Sequence, residues 1–507
     1  MEDPLIGFST VPVIKVVISA LVALFVAAVM KHFILTYSND NSSSKAPPPL
    51  RFRRATAAAA DDDDDDDDSL KPKVGTVIGR VSQLNIFPGK SMKACKVSKC
   101  RITSAGLEGD RIIMVVNSKN VVITQRMIPQ LSLIRVTLHR VNVNNDDNND
   151  DNGWVVTLSL TPVFEQNQSS PSSSFQNDLK LDLSKAVMDA EKKKKKTVMI
   201  ELHTIKARCV DLGDEAATWI DHALTKLCRN SNSTTSTTST TSTTPKVGYR
   251  IVTLAPNEMR RLSSSPIARY FMMEQVRHFD ATLLSDLAPV SFASETSLAA
   301  LNEQIKTTTA SETKTKTIPM DRFRTNIVAK YHREQNDDST DTDLAFLEDH
   351  IRTLQIGSLV FRVLGPTFRC VIPTVDQTTG EAGFRQNRSK SSTNNSLRQA
   401  EPIATLKQFR SGGLRHGWTG FAPVTMGGSQ SLAPLFGIYL GTEESDAMGK
   451  VVSVGDPIRI LEYKKTTSDN NFGFLSKLSN AVTVALGWEK KEGEIENHGA
   501  VITEDCK

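Results

Sequence analysis

Val74-Gly75-Thr76-Val77-Ile78-Gly79-Arg80-Val81-Ser82-Gln83-Leu84-Asn85-Ile86 opens the first stretch of this chain that reads as ordered, and Phe87-Pro88-Gly89 ends it. The run is rich in β-branched residues and stops at a Pro-Gly pair, so it predicts a strand leading into a turn. The same logic extends outward. Arg111–Val116 and Val121–Thr124 are two β runs joined by Asn117-Ser118-Lys119-Asn120, which predicts a hairpin. Leu131–Val143, Tyr249–Leu254, Val290–Ala293, Phe323–Ala329, Leu359–Leu364, Arg369–Thr374, Gly437–Leu440 and Pro457–Leu461 add further strands. Asp211–Leu227 reads as a helix, with Leu212, Ala216, Trp219, Ile220, Ala223 and Leu227 on one face and an aspartate at its start to cap it. Ser294–Ile305 reads as a short helix. Many short strands, few helices and no βαβ alternation predict an α+β, β-rich chain with barrel-like sheets.

Length alone overstates the number of domains. The chain has 507 residues, 39% hydrophobic and 23% charged. Yet Asp61–Asp68 is all aspartate, Asn144–Asn152 holds only Asn and Asp, and Asn230–Thr244 is nearly pure Ser/Thr. Polar tracts also lie near 165–178, 304–317, 334–343 and 386–399. Such segments cannot bury enough apolar surface to offset their chain entropy. They fall between the predicted elements, where insertions cost little. About 300 residues remain for the core, enough for one or two compact domains. The net charge of +4 is a sum of opposed tracts, chiefly the aspartates and Lys192–Lys196. The lysine run stands among polar residues and reads as a solvated loop, not as a nucleic-acid surface.

Val11–Tyr37 is the most hydrophobic stretch, and Val16–Met30 is free of charge between Lys15 and Lys31. It predicts a single N-terminal transmembrane helix that stays uncleaved, since Glu2 and Asp3 precede it and no small-x-small site follows closely. Lys31, Lys45, Arg51, Arg53 and Arg54 on its C-terminal side place the body in the cytosol. The mitochondrial outer membrane and the ER both suit such an anchor, the former better. Residues 38–73 form a linker, 74–260 and 265–463 the two parts of the core, and 464–507 a tail. Phe474–Trp488 has helical amphipathic spacing, suited to packing on the body or to a membrane surface. The six cysteines show no C-x-x-C pair, as expected of reduced thiols. Cys95 and Cys100 lack partner ligands nearby and read as packing residues.

No G-x-G-x-x-G, P-loop or G-x-S-x-G motif is present, and the nine histidines never occur as H-x-x-x-H or H-E-x-x-H. Four segments instead carry candidate chemistry: Phe87-Pro88-Gly89-Lys90-Ser91, Gly106-Leu107-Glu108-Gly109-Asp110-Arg111, Phe323-Arg324-Thr325-Asn326-Ile327-Val328, and Phe368-Arg369-Cys370-Val371-Ile372-Pro373-Thr374-Val375-Asp376. Together they offer basic and amide donors and one cysteine beside an arginine. Such a set suits a large anionic ligand and a soft metal.

In order and wording these segments resemble the MOSC superfamily, and within it the mitochondrial amidoxime reducing components, which are membrane-anchored molybdenum enzymes. Ile123-Thr124-Gln125-Arg126, Ser294-Glu295-Thr296-Ser297-Leu298, Glu401-Pro402-Ile403-Ala404-Thr405-Leu406 and Val454-Gly455-Asp456-Pro457-Ile458 extend the likeness from Val74 to about Tyr463. The resemblance implies a β-barrel-like MOSC domain preceded by a smaller β-rich MOSC-associated domain. It implies a molybdenum cofactor of the molybdopterin type, with Cys370 as the thiolate ligand and catalytic residue. Lys90, Ser91, Arg111, Arg324, Asn326 and Arg369 become cofactor-binding residues. A neighbouring cation such as Arg369 would lower the pKa of the thiol. Other readings stay open: Arg111 and Arg324 as structural ion-pair partners, Lys90 as a solvated turn residue, Asp376 as turn chemistry or proton delivery.

Two departures stand out. Leu287-Ala288 precedes Pro289 where relatives carry a polar Thr-Ser pair, and the segment between Arg410 and Pro434 is unusual. By resemblance the chain reduces N-hydroxylated compounds such as amidoximes, and nitrite. Electrons then come from cytochrome b5 and its NADH-dependent reductase, since no haem or flavin motif is present. The rival is a cofactor carrier or a sulfur-handling MOSC module, related to the C-terminal part of molybdenum cofactor sulfurases. A membrane-tethered scaffold is the third reading.

Overall fold

A computed structural model describes residues 71–142, 152–161, 178–192, 197–202, 205–231, 248–264, 275–308, 317–332, 344–383, 400–410, 434–442 and 447–464. The expected anchor at 11–37, most of the linker, the segment 411–433 and the amphipathic stretch Phe474–Trp488 lie outside these residues. Among the described residues no helix is long and apolar enough to cross a membrane.

Seven strands close into a barrel. They are β1 (Val77–Ile86), β2 (Val290–Ser294), β3 (Ile327–Tyr331), β4 (Ile351–Ile356), β5 (Leu359–Phe368), β6 (Leu435–Thr442) and β7 (Pro457–Tyr463). Neighbours run in the order β3-β2-β6-β5-β4-β7-β1, and β1 pairs back onto β3. Closure leaves none of the seven with an unpaired edge. β1 achieves it by shifting register twice, between Val77 and Gly79 against β7 and between Val81 and Gln83 against β3. Gly79 permits the close approach: a Cβ there would stand 2.4 Å from the Lys330 carbonyl oxygen. Ile78, Leu84, Phe292, Ile327, Leu354, Phe361, Ile438 and Ile458 fill one buried core. Each such side chain stabilises the fold by roughly 1.5–3 kcal/mol.

β1 precedes the 260/265 boundary in sequence but belongs to this barrel. Cys95–Val97 pairs with β1, and Lys99–Thr103 and Gly106–Leu107 join Val451–Ser453, while most other strands of the N-terminal part form two further sheets. One orders Val198–Leu202, Ile205–Asp211, Arg250–Leu254, Ile113–Val116 and Val122–Ile123. The second joins Ile134–Asn142, Asn152–Leu160 and Leu179–Asp182. The expected hairpin forms, with Val115 opposite Ile123 and Val116 opposite Val122. Its turn is held by Asn117 Oδ1, which accepts from the Lys119 and Val121 amides. The expected helix begins three residues late, at Asp214. Asp211 instead accepts from the Gly213 amide at 2.9 Å and pairs with Arg250. Ala216, Trp219, Ile220, Ala223 and Leu227 pack in one core with Ile113, Val115, Val136 and Val156.

Three readings of the sequence need correction. Arg369–Thr374 is not a strand: β5 ends at Phe368 and the chain turns through a 3-10 helix at Ile372–Thr374. Val371 and Ile372 favour strands locally, but Pro373 has no N–H for a ladder. Phe323–Ala329 divides into a 3-10 turn, Met320–Phe323, and β3, with Arg324 left-handed between them (φ 53°). And βαβ connection is present once: β2, the helix Glu295–Thr308 and β3 form a parallel unit, with Phe292 opposite Ile327.

Candidate active site at the barrel rim

The turn after β1, the turn ending at Arg111, the left-handed turn before β3 and the turn after β5 meet around one cleft. Lys90, Ser91, Arg111, Arg324, Asn326, Arg369 and Cys370 all line it. Three of these seven hold a left-handed backbone without being glycine: Ser91 (φ 63°), Arg111 (φ 50°) and Arg324 (φ 53°). Such conformations cost free energy and gather at ligand clamps.

Each side chain has a defined environment. Lys90 is buried, donates to the Leu284 carbonyl at 2.8 Å and pairs with Asp286. Burial lowers its pKa, with Asp286 opposing the shift. Arg111 pairs with Asp110 and donates to Asn326 Oδ1 at 3.0 Å. Arg324 donates to the Met92 carbonyl at 2.6 Å, and burial, then Arg111, pushes its pKa down to about 9. Both guanidinium groups lie against the Phe87 ring, at 4.5 and 4.4 Å from its centroid. One aromatic quadrupole thus serves two like charges.

Asn326 and Arg369 are occupied by the protein itself. The Asn326 Oδ1 accepts from Arg111, the Ser291 amide and the Ser291 hydroxyl, and its Nδ2 donates to the Asn85 carbonyl and Asp110. Arg369 donates to the Phe436 carbonyl at 2.9 and 2.7 Å and to the Phe323 carbonyl at 2.7 Å. It therefore fixes the base of the Cys370 turn. Cys370 Sγ accepts from the Ile372 amide at 3.5 Å. Burial pushes the thiol up, and Arg126 opposes this more than Arg369 does. The expected lowering by Arg369 is thus outweighed by desolvation.

Further residues line the cleft that sequence reading did not name as site residues. Asp286 keeps 41% of its side chain exposed while holding Lys90. Arg322 pairs with Asp376 at 3.0 Å, yet its buried Nε has no partner. The Thr367 Oγ1 is likewise buried without a partner. Tyr439 stands on β6, and burial pushes its hydroxyl up to about 12. Asp286 adjoins the Leu287-Ala288 departure and Arg322 lies two positions before Arg324, so both had a local signal; Thr367 and Tyr439 sit in ordinary strand sequence. Asp376 accepts from the Thr378 and Thr379 amides, which is turn chemistry. Leu287 and Phe368 belong to an apolar cluster with Ala288 and Leu364 and form the uncharged wall.

Fold and cleft together define a two-part, barrel-based protein with basic residues and a thiol lining one cleft. Residues 78–227 match the MOSC N-terminal beta barrel domain and residues 280–459 the MOSC domain. The chain belongs to the MOSC superfamily and carries both of its domains. It is similar to mitochondrial amidoxime-reducing component 1 of Homo sapiens, 26% identical over 388 residues that cover 76% of this chain and 83% of that protein. It is also similar to mitochondrial amidoxime reducing component 2 of Macaca fascicularis, 25% identical over 75% of this chain and 83% of that protein. A shorter likeness, 35% identity over 136 residues, joins it to a molybdenum cofactor sulfurase of Aspergillus niger, covering 26% of this chain and 14% of that one.

Proposed function

We propose that this chain is a molybdenum-cofactor-dependent oxidoreductase that reduces N-hydroxylated compounds, amidoximes first and nitrite second. The observation that carries the proposal is the convergence of four distant segments on one cleft with surplus positive charge, a thiol and two buried polar atoms lacking partners. The names of the similar proteins point the same way, towards amidoxime reduction and the molybdenum cofactor.

The donor set fits such a group. Cys370 Sγ would hold the metal as a soft thiolate. Lys90, Ser91, Arg111 and Arg324 suit the phosphate and the pterin edge. Asn326 and Arg369 act one step behind, holding Arg111 and the Cys370 turn in place. Thr367 and Arg322 offer the remaining hydrogen-bond capacity. When bound, such a cofactor would supply two-electron redox chemistry at the N–O bond. The net change, R–N–OH to R–N–H and water, consumes two electrons and two protons. The partially exposed Asp286 is the carboxylate placed to pass protons into the cleft. The electrons would come from cytochrome b5 and its NADH-dependent reductase.

The full chain in detergent tests this. Molybdenum and pterin should co-purify in equal amounts, and NADH should drive amidoxime reduction once cytochrome b5 and its reductase are added. Cys370→Ala should abolish turnover and lose the metal. Turnover at the parental rate by Cys370→Ala overturns the assignment. Metal and pterin retained with no turnover assign the chain to cofactor carriage instead.

A further inference from the structure

Behind the cleft two buried glutamines face each other across the junction of the two domains. Gln125 follows the strand Val122–Ile123 of the N-terminal domain and is 0% exposed. Gln377 lies on the loop after Cys370 and is 6% exposed. Their carboxamides pair reciprocally: Gln125 Nε2 donates to Gln377 Oε1 at 3.0 Å, and Gln377 Nε2 donates to Gln125 Oε1 at 3.0 Å. The second hydrogens tie the pair to the cleft wall at Ser91 and to the loop that carries Cys370. Gln125 Nε2 donates to the Ser91 carbonyl at 2.9 Å, and Gln377 Nε2 to the Val375 carbonyl at 3.3 Å.

One amide ring therefore refers the Ser91 turn to the Cys370 loop. Neither wall is fixed by local structure alone. Ser91 holds a left-handed backbone that a residue with a side chain adopts at a cost. The loop beyond Cys370 leaves its sheet at Phe368 and is seated on the N-terminal domain by contact: a Cβ at Gly380 would stand 3.0 Å from Leu133 Cδ1. We infer that Gln125 and Gln377 are a positioning pair that sets the separation of the Lys90-Ser91 turn from the Cys370 turn, so that groups from both domains grip one ligand. The inference rests on reading the cleft as a cofactor site.

Two functions of a buried amide pair can be separated by how single and double substitutions behave. Removing one partner strands a buried polar group, whereas replacing both with apolar groups of similar size is nearly neutral for stability. Gln125→Met and Gln377→Met should each lower Tm, and the double variant should regain most of it. Positioning does not return with packing, because the link between the turns is still gone. The double variant of the full chain should lose pterin on dialysis about tenfold faster than the parent, as expected from losing one buried hydrogen-bonded link. Gln377→Glu keeps the acceptor for Gln125 and should fall between. A double variant with parental Tm and parental pterin retention overturns the pair as a positioning device.

If the parent itself holds no pterin, the cofactor reading fails, and hydrogen exchange tests the pair without a ligand. At matched Tm, amides of Lys90–Met92 and Cys370–Val375 should exchange faster in the double variant than in the parent. Unchanged exchange at both segments overturns the inference.

Discussion

Two regions of this molecule bury charge, and they settle it differently. Away from the cleft the ions close on one another. Arg362 forks onto Asp280 at 2.8 and 3.2 Å and donates its other hydrogens to the Thr442 and Gln275 carbonyls. Nearby in sequence, Glu348 and Asp349 share Arg410, which bonds Asp349 at 2.6 Å; the Glu348 Oε2 accepts from the Ser297 hydroxyl at 3.0 Å. Burial and the neighbouring Asp349 disfavour the charged form of Glu348, and a carboxylate can settle this by taking a proton. Around the cleft the surplus is positive. Lys90, Arg111, Arg322, Arg324 and Arg369 outnumber the carboxylates around them, Asp110, Asp286, Asp321 and Asp376. Arginine keeps its charge at neutral pH. The first region can settle its charge with a proton; the second would suit an anion.

This contrast can be broken experimentally. The largest effect belongs to Asp280→Ala, which strands the buried Arg362: a loss of about 3–5 kcal/mol in denaturant unfolding is expected, with ligand retention in the cleft unchanged. A loss below 1 kcal/mol would mean the pair is not a closed structural unit. Next is the proton on Glu348, whose carboxyl is raised to about 7 by burial and then by Asp349. The folded chain keeps a proton that the unfolded chain releases, so this stabilisation is full below about pH 4.5 and is lost as pH rises through about 7. Glu348→Gln should flatten the fall in stability over that window, by an amount on the order of 1–3 kcal/mol; parallel pH profiles for parent and variant would remove the proton from the account.

Smaller effects test the cleft. Lys90→Met should weaken binding of a phosphate-bearing ligand about 10–100-fold without lowering the stability of the ligand-free protein, because the ammonium is desolvated there. Isothermal titration with pyrophosphate and a thermal melt read the two quantities. Smallest is Thr367→Val. Removing a buried hydroxyl with no partner should raise ligand-free stability by about 1 kcal/mol while pterin dissociates faster. A variant that loses stability would show Thr367 to be bonded within the fold.

Much of this was legible in sequence where the signal is local or carried by wording. The strand Val77–Ile86, the hairpin about Asn117 and the apolar face of the helix Asp214–Ser231 follow from period and turn chemistry. The seven cleft residues came from resemblance, and the fold brings all of them to one place. What each one does there was not legible. The saturation of Arg369 depends on carbonyls at Phe323 and Phe436, far away in the chain. The Gln125–Gln377 pair joins residues 252 positions apart that carry no motif between them. The βαβ unit was hidden because a polar tract separates its helix from β3, and Arg369–Thr374 looked extended because β-branched residues flank its proline.

The placement of β1 has a consequence for how the chain comes to be. It is synthesised first among the described strands, yet its partners within the barrel are β3 and β7, and β7 is made last. The longest-range pairing of β1, Val77 with Arg459, must wait until β7 has been made. High contact order of this kind slows folding. It also makes the amino-terminal segment a late-arriving seal, so a chain interrupted before β7 would leave both β1 and β4 with open edges at which other chains can pair.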